Sequence, residues 1–209
     1  GKEFCETTLY ELRNKKVLLI TSSSTLSRLA LEKWLRSLKE SSSLTWLEEI
    51  PSNPTYLDVY SSLKKIKDIT PDIVLAIGGG STIDLAKSLV GLSYLNKNYC
   101  FSADDVLNCI KAKEYNNHNI NTPIFAVPTT AGTGSEVTQW ATVWDNKEKL
   151  KYSIDAAHLR PKRAYIIPEF TLTMPKRLTL STGLDAFCQA IEAYWARTSD
   201  RIVKELSKV

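Results

Sequence analysis

The sequence is poor in the residues that build disulfide frameworks and metal centres. Only four of its 209 residues are cysteines and only two are histidines. The cysteines contain no CxxC pair and are too sparse for a disulfide-stabilised secreted domain, so we expect reduced thiols in a cytoplasmic protein. Neither His118 nor His158 belongs to a metal-ligand motif, and we expect both to be ordinary loop histidines.

Long apolar segments and blocks of one charge sign are also missing. No apolar run reaches the ~18 residues of a membrane span, and the opening Gly-Lys-Glu-Phe lacks the apolar core of a signal peptide. The formal charge is +4, with both signs mixed along the chain. The densest basic runs, residues 64–67 and 147–151, carry no interleaved aromatic residues and predict solvated faces. We therefore expect no membrane partner and no nucleic-acid partner.

Short apolar runs alternate with helix-like stretches over most of the chain. Each strand-like run is followed by apolar residues at helical spacing, which is the pattern of β-α-β units. This pattern predicts an α/β fold with a doubly wound, mostly parallel, Rossmann-like sheet in residues 1–170. Strands are expected at residues 17–21, 44–50, 72–77, 123–127 and 164–167, helices at 26–40, 56–66, 83–90 and 104–113, and a β-hairpin at 137–144 and 150–154.

The strand signals stop near Pro168, and residues 183–197 are strongly helical. We expect residues 171–209 to begin an all-helical second domain. About 35 residues cannot enclose a hydrophobic core of their own, so this domain is expected to be truncated. Six residues of its first helix are expected to form one buried apolar stripe, namely Leu184, Phe187, Cys188, Ile191, Tyr194 and Trp195.

Three consecutive glycines interrupt the sequence AIGGGSTIDLAKSL at residues 76–89, between a predicted strand and a predicted helix. Backbone N–H groups at a helix start have no partner within the helix, and glycines let a phosphate approach them without a Cβ in the way. Ser81 could cap this helix, with Asp84 three residues on as in a capping box. Because the pattern is neither GxGxxG nor a P-loop, a phosphate-binding loop and a tight, capped turn both stay open here.

A second polar loop, VPTTAGTGSEVT at residues 127–138, also follows a predicted strand. It offers two glycines and the hydroxyl groups of Thr129, Thr130, Thr133 and Ser135. Two such loops at the carboxyl ends of neighbouring parallel strands suit a dinucleotide bound at the edge of the sheet. The alternative to a binding loop is a structural turn that leads into the hairpin and binds no ligand.

Five short motifs occur in order along the chain. They are NPT at 53–55, GGGSTIDLAK at 78–87, PTTAGTGSEVT at 128–138, PEFTLTMP at 168–175 and TGLDAFCQAIEAY at 182–194. Together they resemble the motifs of the iron-containing (group III) alcohol dehydrogenases, over roughly residue 17 to the end of the chain. The last motif also resembles a phosphonoacetaldehyde reductase-like branch of that family.

The resemblance implies a binding site for a nicotinamide dinucleotide. Gly79, Gly80 and Ser81 would hold its pyrophosphate, and Asp84 would lie near its nicotinamide end. Thr142, in the hairpin, is a further cofactor candidate. The adenosine and ribose side would be lined by Asn53, Thr129, Thr130, Thr133 and Lys151.

The choice between NAD and NADP leans towards NADP. Family members that prefer NAD often carry an acidic residue just after the first strand, where a carboxylate would repel a 2′-phosphate. Here that stretch is TSSST, residues 21–25, whose small hydroxyl groups would not repel it. Glu48 and Glu49 could lie nearby and reverse this preference.

The metal site implied by the resemblance is incomplete in this sequence. Asp185 and Gln189 are four residues apart on a predicted helix, so both side chains lie on one face and could bind one Fe²⁺ or Zn²⁺ ion. The family usually has an aspartate and a histidine here, and two later histidines in the helical domain. Gln189 stands in place of the first histidine, and an amide oxygen is a poorer ligand than imidazole for these metals.

The resemblance implies an oxidoreductase that transfers a hydride between NAD or NADP and a small alcohol or aldehyde, assisted by a metal. The expected partners are that substrate and, as an assembly, a second copy in a homodimer. Two alternatives stay open: a truncated, catalytically inactive dinucleotide-binding protein, and a dehydroquinate-synthase-like enzyme on the same fold. Gln189 favours the first alternative, whereas the PTTAGTGSEVT loop argues against the second.

Overall fold

The centre of the molecule is a five-stranded parallel sheet. The computed structural model describes residues 1–97, 100–118 and 120–208. The strands are β1 (Lys16–Ile20), β2 (Ser43–Leu47), β3 (Ile73–Gly78), β4 (Ile124–Pro128) and β7 (Arg163–Ala164), and β5 (Trp140–Asp145) and β6 (Leu150–Asp155) form a separate antiparallel hairpin. The sheet order is β2-β1-β3-β4-β7, and every neighbouring pair is parallel.

Six helices cover the two faces of the sheet, namely α1 (Lys2–Leu12), α2 (Ser23–Arg28), α3 (Glu32–Ser41), α4 (Tyr56–Lys65), α5 (Gly80–Gly91) and α6 (Ala103–Ala112). Helices α7 (Lys176–Trp195) and α8 (Arg201–Leu206) follow the sheet in the chain. Side chains alternate along a strand, so Leu18 packs with α4, α5 and α6, whereas Leu19 packs on the other side with α1, α2 and α3. This arrangement confirms the predicted doubly wound α/β fold.

The structure differs from the predicted elements at several places. Strand β2 ends three residues before the expected bound, and β5 begins three residues after its expected bound. The single helix expected at residues 26–40 is divided into α2 and α3, because Ala30 between them adopts a left-handed backbone conformation with a φ of 53°. Helix α1 was not predicted, although Phe4, Thr8 and Leu12 lie one above another on its buried face. Strand β7 has two residues, shorter than the run expected at residues 164–167.

The hairpin covers helix α5 and closes one side of the core. Ala141, Val143 and Ile154 point from β5 and β6 into the same hydrophobic cluster as the buried face of α5. The backbone N–H of Trp144 also donates to the carbonyl oxygen of Pro54 at 2.9 Å. The hairpin thereby fixes the turn before α4 next to the start of α5.

Helix α7 follows the α/β part, and the prediction of a buried apolar stripe on it was wrong. Leu184, Phe187, Tyr194 and Trp195 are exposed, and only Thr182 is buried in the whole helix. Helix α8 contacts α7, and the Lys208 ammonium lies 5.7 Å from the centre of the Tyr194 ring, but these contacts leave most of the apolar face exposed. Val209 lies outside the described residues, and the domain division at residues 170 and 171 stays a prediction. Within the described ranges no helix is long and apolar enough to cross a membrane.

Candidate functional site

Helix α5 begins at the carboxyl edge of the sheet without a side-chain cap. Gly78 ends β3, Gly79 is the N-cap residue, and Gly80 is the first residue of the helix. The prediction that Ser81 caps the helix was wrong, because its Oγ accepts a hydrogen bond from the backbone N–H of Asn53 at 3.1 Å instead. The first N–H groups of α5 are therefore left for a ligand or water, at the positive end of the helix dipole.

The second loop approaches two of these glycines closely, so a side chain at either would crowd it. A methyl group added to Gly79 would lie 3.1 Å from Cγ2 of Thr130, and one added to Gly80 would lie 3.1 Å from Cγ2 of Thr133. Both contacts are tighter than ordinary van der Waals contact. The threonines that the sequence predicted as cofactor contacts therefore lie directly beside the glycine turn.

The β4–β5 loop, residues 129–139, supplies those threonines. The backbone N–H of Thr129 donates to the carbonyl oxygen of Gly78 at 2.9 Å, and its side chain is buried. The hydroxyl of Thr130 is also buried and finds no hydrogen-bond partner among the described residues. A buried polar group without a partner is costly, so this oxygen is one that a ligand or water could satisfy.

Asp84 joins the loop and the hairpin to helix α5. Its Oδ1 accepts a hydrogen bond from the Ser135 hydroxyl at 2.6 Å, and its Oδ2 accepts one from the backbone N–H of Thr142 at 3.0 Å. Burial raises the pKa of the Asp84 carboxyl, although these two hydrogen bonds and nearby Lys87 act in the opposite direction. The carboxylate does not take the capping position that the sequence suggested.

Lys87 lies one turn further along α5, and sequence reasoning assigned it no role. Its side chain is fully buried, and its Nζ donates to the Ser135 hydroxyl at 3.1 Å and to the Trp140 carbonyl oxygen at 2.8 Å. A third bond reaches the Thr138 hydroxyl at 3.3 Å. Burial lowers the pKa of Lys87 to about 8. The available signal was its position three residues after Asp84, which puts both side chains on one helix face.

Most of the predicted residues line one cavity of about 510 Å³. This volume lies within the range of ligand pockets. Nine of the twelve predicted residues line it, namely Asn53, Gly80, Ser81, Asp84, Thr133, Thr142, Lys151, Asp185 and Gln189. The other three lie beside it: Gly79 is in the glycine turn, and Thr129 and Thr130 are in the β4–β5 loop that packs against that turn.

Two tryptophans that the sequence did not suggest also line this cavity. Trp140 is half exposed at its edge, and Trp144 lies beside Lys151. The Lys151 ammonium lies 5.0 Å from the centre of the Trp144 ring, across the hairpin from it. This contact holds a cation at the cavity wall.

The two predicted metal ligands lie together on α7 but do not form a metal site by themselves. The Gln189 amide donates to Oδ2 of Asp185 at 2.9 Å, and both residues are exposed. One carboxylate and one amide are too few donors for Fe²⁺ or Zn²⁺, which take four or more ligands and prefer imidazole to an amide. Among the described residues no group of three or more His, Cys, Asp or Glu could hold a metal ion.

The molecule is a Rossmann-like α/β protein. A doubly wound parallel sheet carries, at its carboxyl edge, an uncapped helix start and a loop rich in hydroxyl groups. The model of the iron-containing alcohol dehydrogenases matches residues 3–168. This chain belongs to the iron-containing alcohol dehydrogenase family, as its motifs predicted.

Individual relatives agree with this membership. A NADPH-dependent butanol dehydrogenase of Clostridium saccharobutylicum is 32% identical over 190 residues, which are 90% of this chain and 47% of that protein. A phosphonoacetaldehyde reductase of Streptomyces viridochromogenes is 36% identical over 70% of this chain and 37% of its own length. The crystal structure of an iron-containing alcohol dehydrogenase from Thermotoga maritima matches with a TM-score of 0.79 and 30% identity, over 96% of this chain and 53% of that one. The chain thus spans about half the length of these relatives or less.

The contact between the β4–β5 loop and α7 gives a test of how the site is held together. Gly132 has a φ of +118°, and a methyl group there would lie 2.2 Å from the carbonyl oxygen of Thr182 in α7. We expect Gly132→Ala to lower the free energy of unfolding in urea by about 2–4 kcal/mol, from backbone strain and steric overlap.

Gly134→Ala is the matched control for this change. Gly134 also has a positive φ, of +63°, but nothing lies within 4 Å of an added methyl group. Gly134→Ala should lower the free energy of unfolding by about 1 kcal/mol, which is the cost of the left-handed conformation alone. Equal losses in the two variants would show that the loop does not depend on close contact with α7.

Proposed function

We propose that this chain forms the cofactor-binding part of an oxidoreductase, which transfers a hydride between a nicotinamide cofactor and a small alcohol or aldehyde. The observation that carries the proposal is the convergence of nine predicted residues on one cavity at the carboxyl edge of the sheet. These residues come from the turn before α4, from α5, the β4–β5 loop, the hairpin and α7. The carboxyl edge of a doubly wound parallel sheet is where such folds bind their ligands.

The residues that are present fit a dinucleotide. The start of α5 has no side-chain cap, and glycine removes the Cβ atoms that would crowd a pyrophosphate there. The buried Thr130 hydroxyl has a free hydrogen-bonding capacity among the described residues. Lys151 supplies a positive charge at the cavity wall, where cofactor phosphates would benefit from it.

The hydride chemistry belongs to the nicotinamide ring of the cofactor when it is bound. The residues of this chain would bind and orient it: Gly79, Gly80 and Ser81 at the pyrophosphate, and Asp84 near the nicotinamide end. Asp84 is well held for such a role, because two hydrogen bonds fix the direction of its carboxylate. No step is assigned to a metal, since Asp185 and Gln189 alone are not a sufficient ligand set.

We propose NADP as the preferred cofactor. The stretch after β1, residues 21–25, carries only hydroxyl side chains, so no carboxylate there repels a 2′-phosphate. Of the two carboxylates that could reverse this preference, Glu49 forms an ion pair with Lys65, whereas no ion pair of Glu48 occurs among the described residues. The relatives include both an NADPH-dependent and an NADH-dependent butanol dehydrogenase, so the proposal rests on the residues of this chain.

A small alcohol or aldehyde is the proposed substrate class, in line with the names of the relatives. Family membership favours an oxidoreductase over the dehydroquinate-synthase-like alternative. A catalytically inactive dinucleotide-binding chain stays the second candidate, because Gln189 replaces an expected metal-binding histidine. The homodimer and the cytoplasmic location stay predictions.

Titration with NADPH and NADH tests the proposal, with tryptophan fluorescence as the signal because Trp140 and Trp144 line the cavity. We expect the wild-type chain to bind NADPH. Gly79→Val should weaken binding at least about tenfold, since the new side chain meets Thr130 and fills the space beside the helix start. Unchanged affinity in this variant would mean that the glycines serve only the turn.

Gly183→Val is the matched control, because an atom added at Gly183 in α7 meets nothing within 4 Å. It should bind NADPH as the wild type does. An assay of aldehyde reduction with Fe²⁺, with Zn²⁺ and without metal follows the binding experiment. Turnover excludes the inactive candidate, binding without turnover agrees with both candidates because the proposal makes this chain only the cofactor-binding part of the enzyme, and no binding of either cofactor contradicts both.

The cofactor preference has its own test at Ser22. The Ser22 hydroxyl accepts a hydrogen bond from the backbone N–H of Thr25 at 3.1 Å and caps α2. Aspartate and asparagine cap helices equally well, so Ser22→Asp and Ser22→Asn differ mainly in charge. Ser22→Asp should weaken NADPH binding about tenfold while NADH binding changes little, because only NADPH carries the 2′-phosphate. If Ser22→Asn does the same as Ser22→Asp, charge repulsion is not the cause.

A further inference from the structure

Lys87 forms the densest set of polar contacts inside the molecule that the proposed function does not use. Its fully buried ammonium group has three acceptors: the hydroxyls of Ser135 and Thr138 and the carbonyl oxygen of Trp140. All three belong to the β4–β5 loop or to the first residue of β5. A single side chain of α5 therefore holds the loop along most of its second half.

We propose that Lys87 is a positioning residue, which fixes the β4–β5 loop in its cofactor-binding arrangement and makes cofactor affinity depend on the Lys87 proton. The inference rests on the proposed function, since the loop is taken to bind a dinucleotide. Lys87 does not line the cavity, and it acts through Ser135, Thr138 and Trp140, which do.

The number of hydrogens on Lys87 matches the number of its acceptors. A lysine ammonium has three N–H donors and no acceptor site, and three oxygens surround Nζ. The Ser135 hydroxyl uses its own hydrogen to bind Asp84, so it can only accept from Lys87. Loss of the Lys87 proton replaces one N–H donor by a lone pair, to which the Thr138 hydroxyl can turn and donate, but the bonds to Ser135 and Trp140 lose the charge that strengthens them.

The charges around Lys87 set the pH at which this happens. Asp84 on its own helix and Glu136 in the loop raise its pKa, but burial is the larger effect and lowers the value to about 8. Lys151 and Asp185 are the further charged groups that line the adjoining cavity. Below pH 8 the lysine is mostly charged and its three bonds to the loop are charge-assisted, whereas above pH 8 the neutral amine holds the loop more weakly.

The experiment measures the dissociation constant of NADPH between about pH 7 and about pH 9.5, a range that covers the Lys87 titration. A phosphate monoester has its second pKa near 6, so the charge of NADPH is constant over this range. We expect the dissociation constant of the wild-type chain to rise about tenfold with increasing pH, the effect of losing the charge that strengthens these hydrogen bonds.

Three variants separate this role from simple packing. Lys87→Met fills similar volume without a charge, and it should bind NADPH weakly and with no pH dependence. Lys87→Arg keeps its charge at every pH of the experiment, so its affinity should not fall above pH 8. Lys33→Met, which removes an exposed lysine of α3 on the other side of the sheet, should keep the wild-type profile.

The wild-type profile decides the inference even if the Lys87 variants do not fold. A flat dissociation constant in the wild type, with binding intact, overturns the role of the Lys87 proton and leaves the proposed function standing. A pH dependence that persists unchanged in folded Lys87→Met assigns it to another group and overturns the inference as well. Absence of NADPH binding at every pH overturns the proposed function, and the coupling with it.

Discussion

The parallel direction of the strands is the constraint on which the site depends. Since β1, β3 and β4 all point the same way, the segments that follow them leave the sheet at one edge. The glycine turn after β3 and the β4–β5 loop are thereby neighbours without any special contact to bring them together. Close packing then fixes their distance, because the threonines of the loop lie against glycines that have no side chain to hold them off.

The two charged side chains that organise the site lie on one face of helix α5. Asp84 and Lys87 carry opposite charges but share the Ser135 hydroxyl, which donates to one and accepts from the other. Buried charged groups contribute little net stability, because taking them out of water costs about as much as their attraction returns. Their benefit here is that only one arrangement of the loop satisfies all of their hydrogen bonds. This network therefore selects one conformation of the loop more than it stabilises the fold.

Local sequence patterns predicted the sheet and most of the cavity, and the errors have identifiable causes. The strands were found because apolar runs and helical spacing are local signals, and the glycine and threonine loops because each follows a strand. The prediction that Ser81 caps α5 was wrong because the Ser81 hydroxyl binds the backbone N–H of Asn53. That residue lies 28 positions away in sequence, so no local pattern indicates the contact. Lys87 was missed because a lysine in a helix usually faces water, and only the folded loop shows what surrounds it.

The exposed apolar face of α7 bears on how the chain behaves at high concentration. Leu180, Leu184, Phe187 and Trp195 present large side chains to water on the last long helix. Apolar patches of this kind on a soluble protein mark either a contact surface or an aggregation hazard. The solubility of the chain therefore depends on what covers this face, and polar substitutions at these four positions would raise it without changing Asp185 and Gln189, which line the cavity from the same helix.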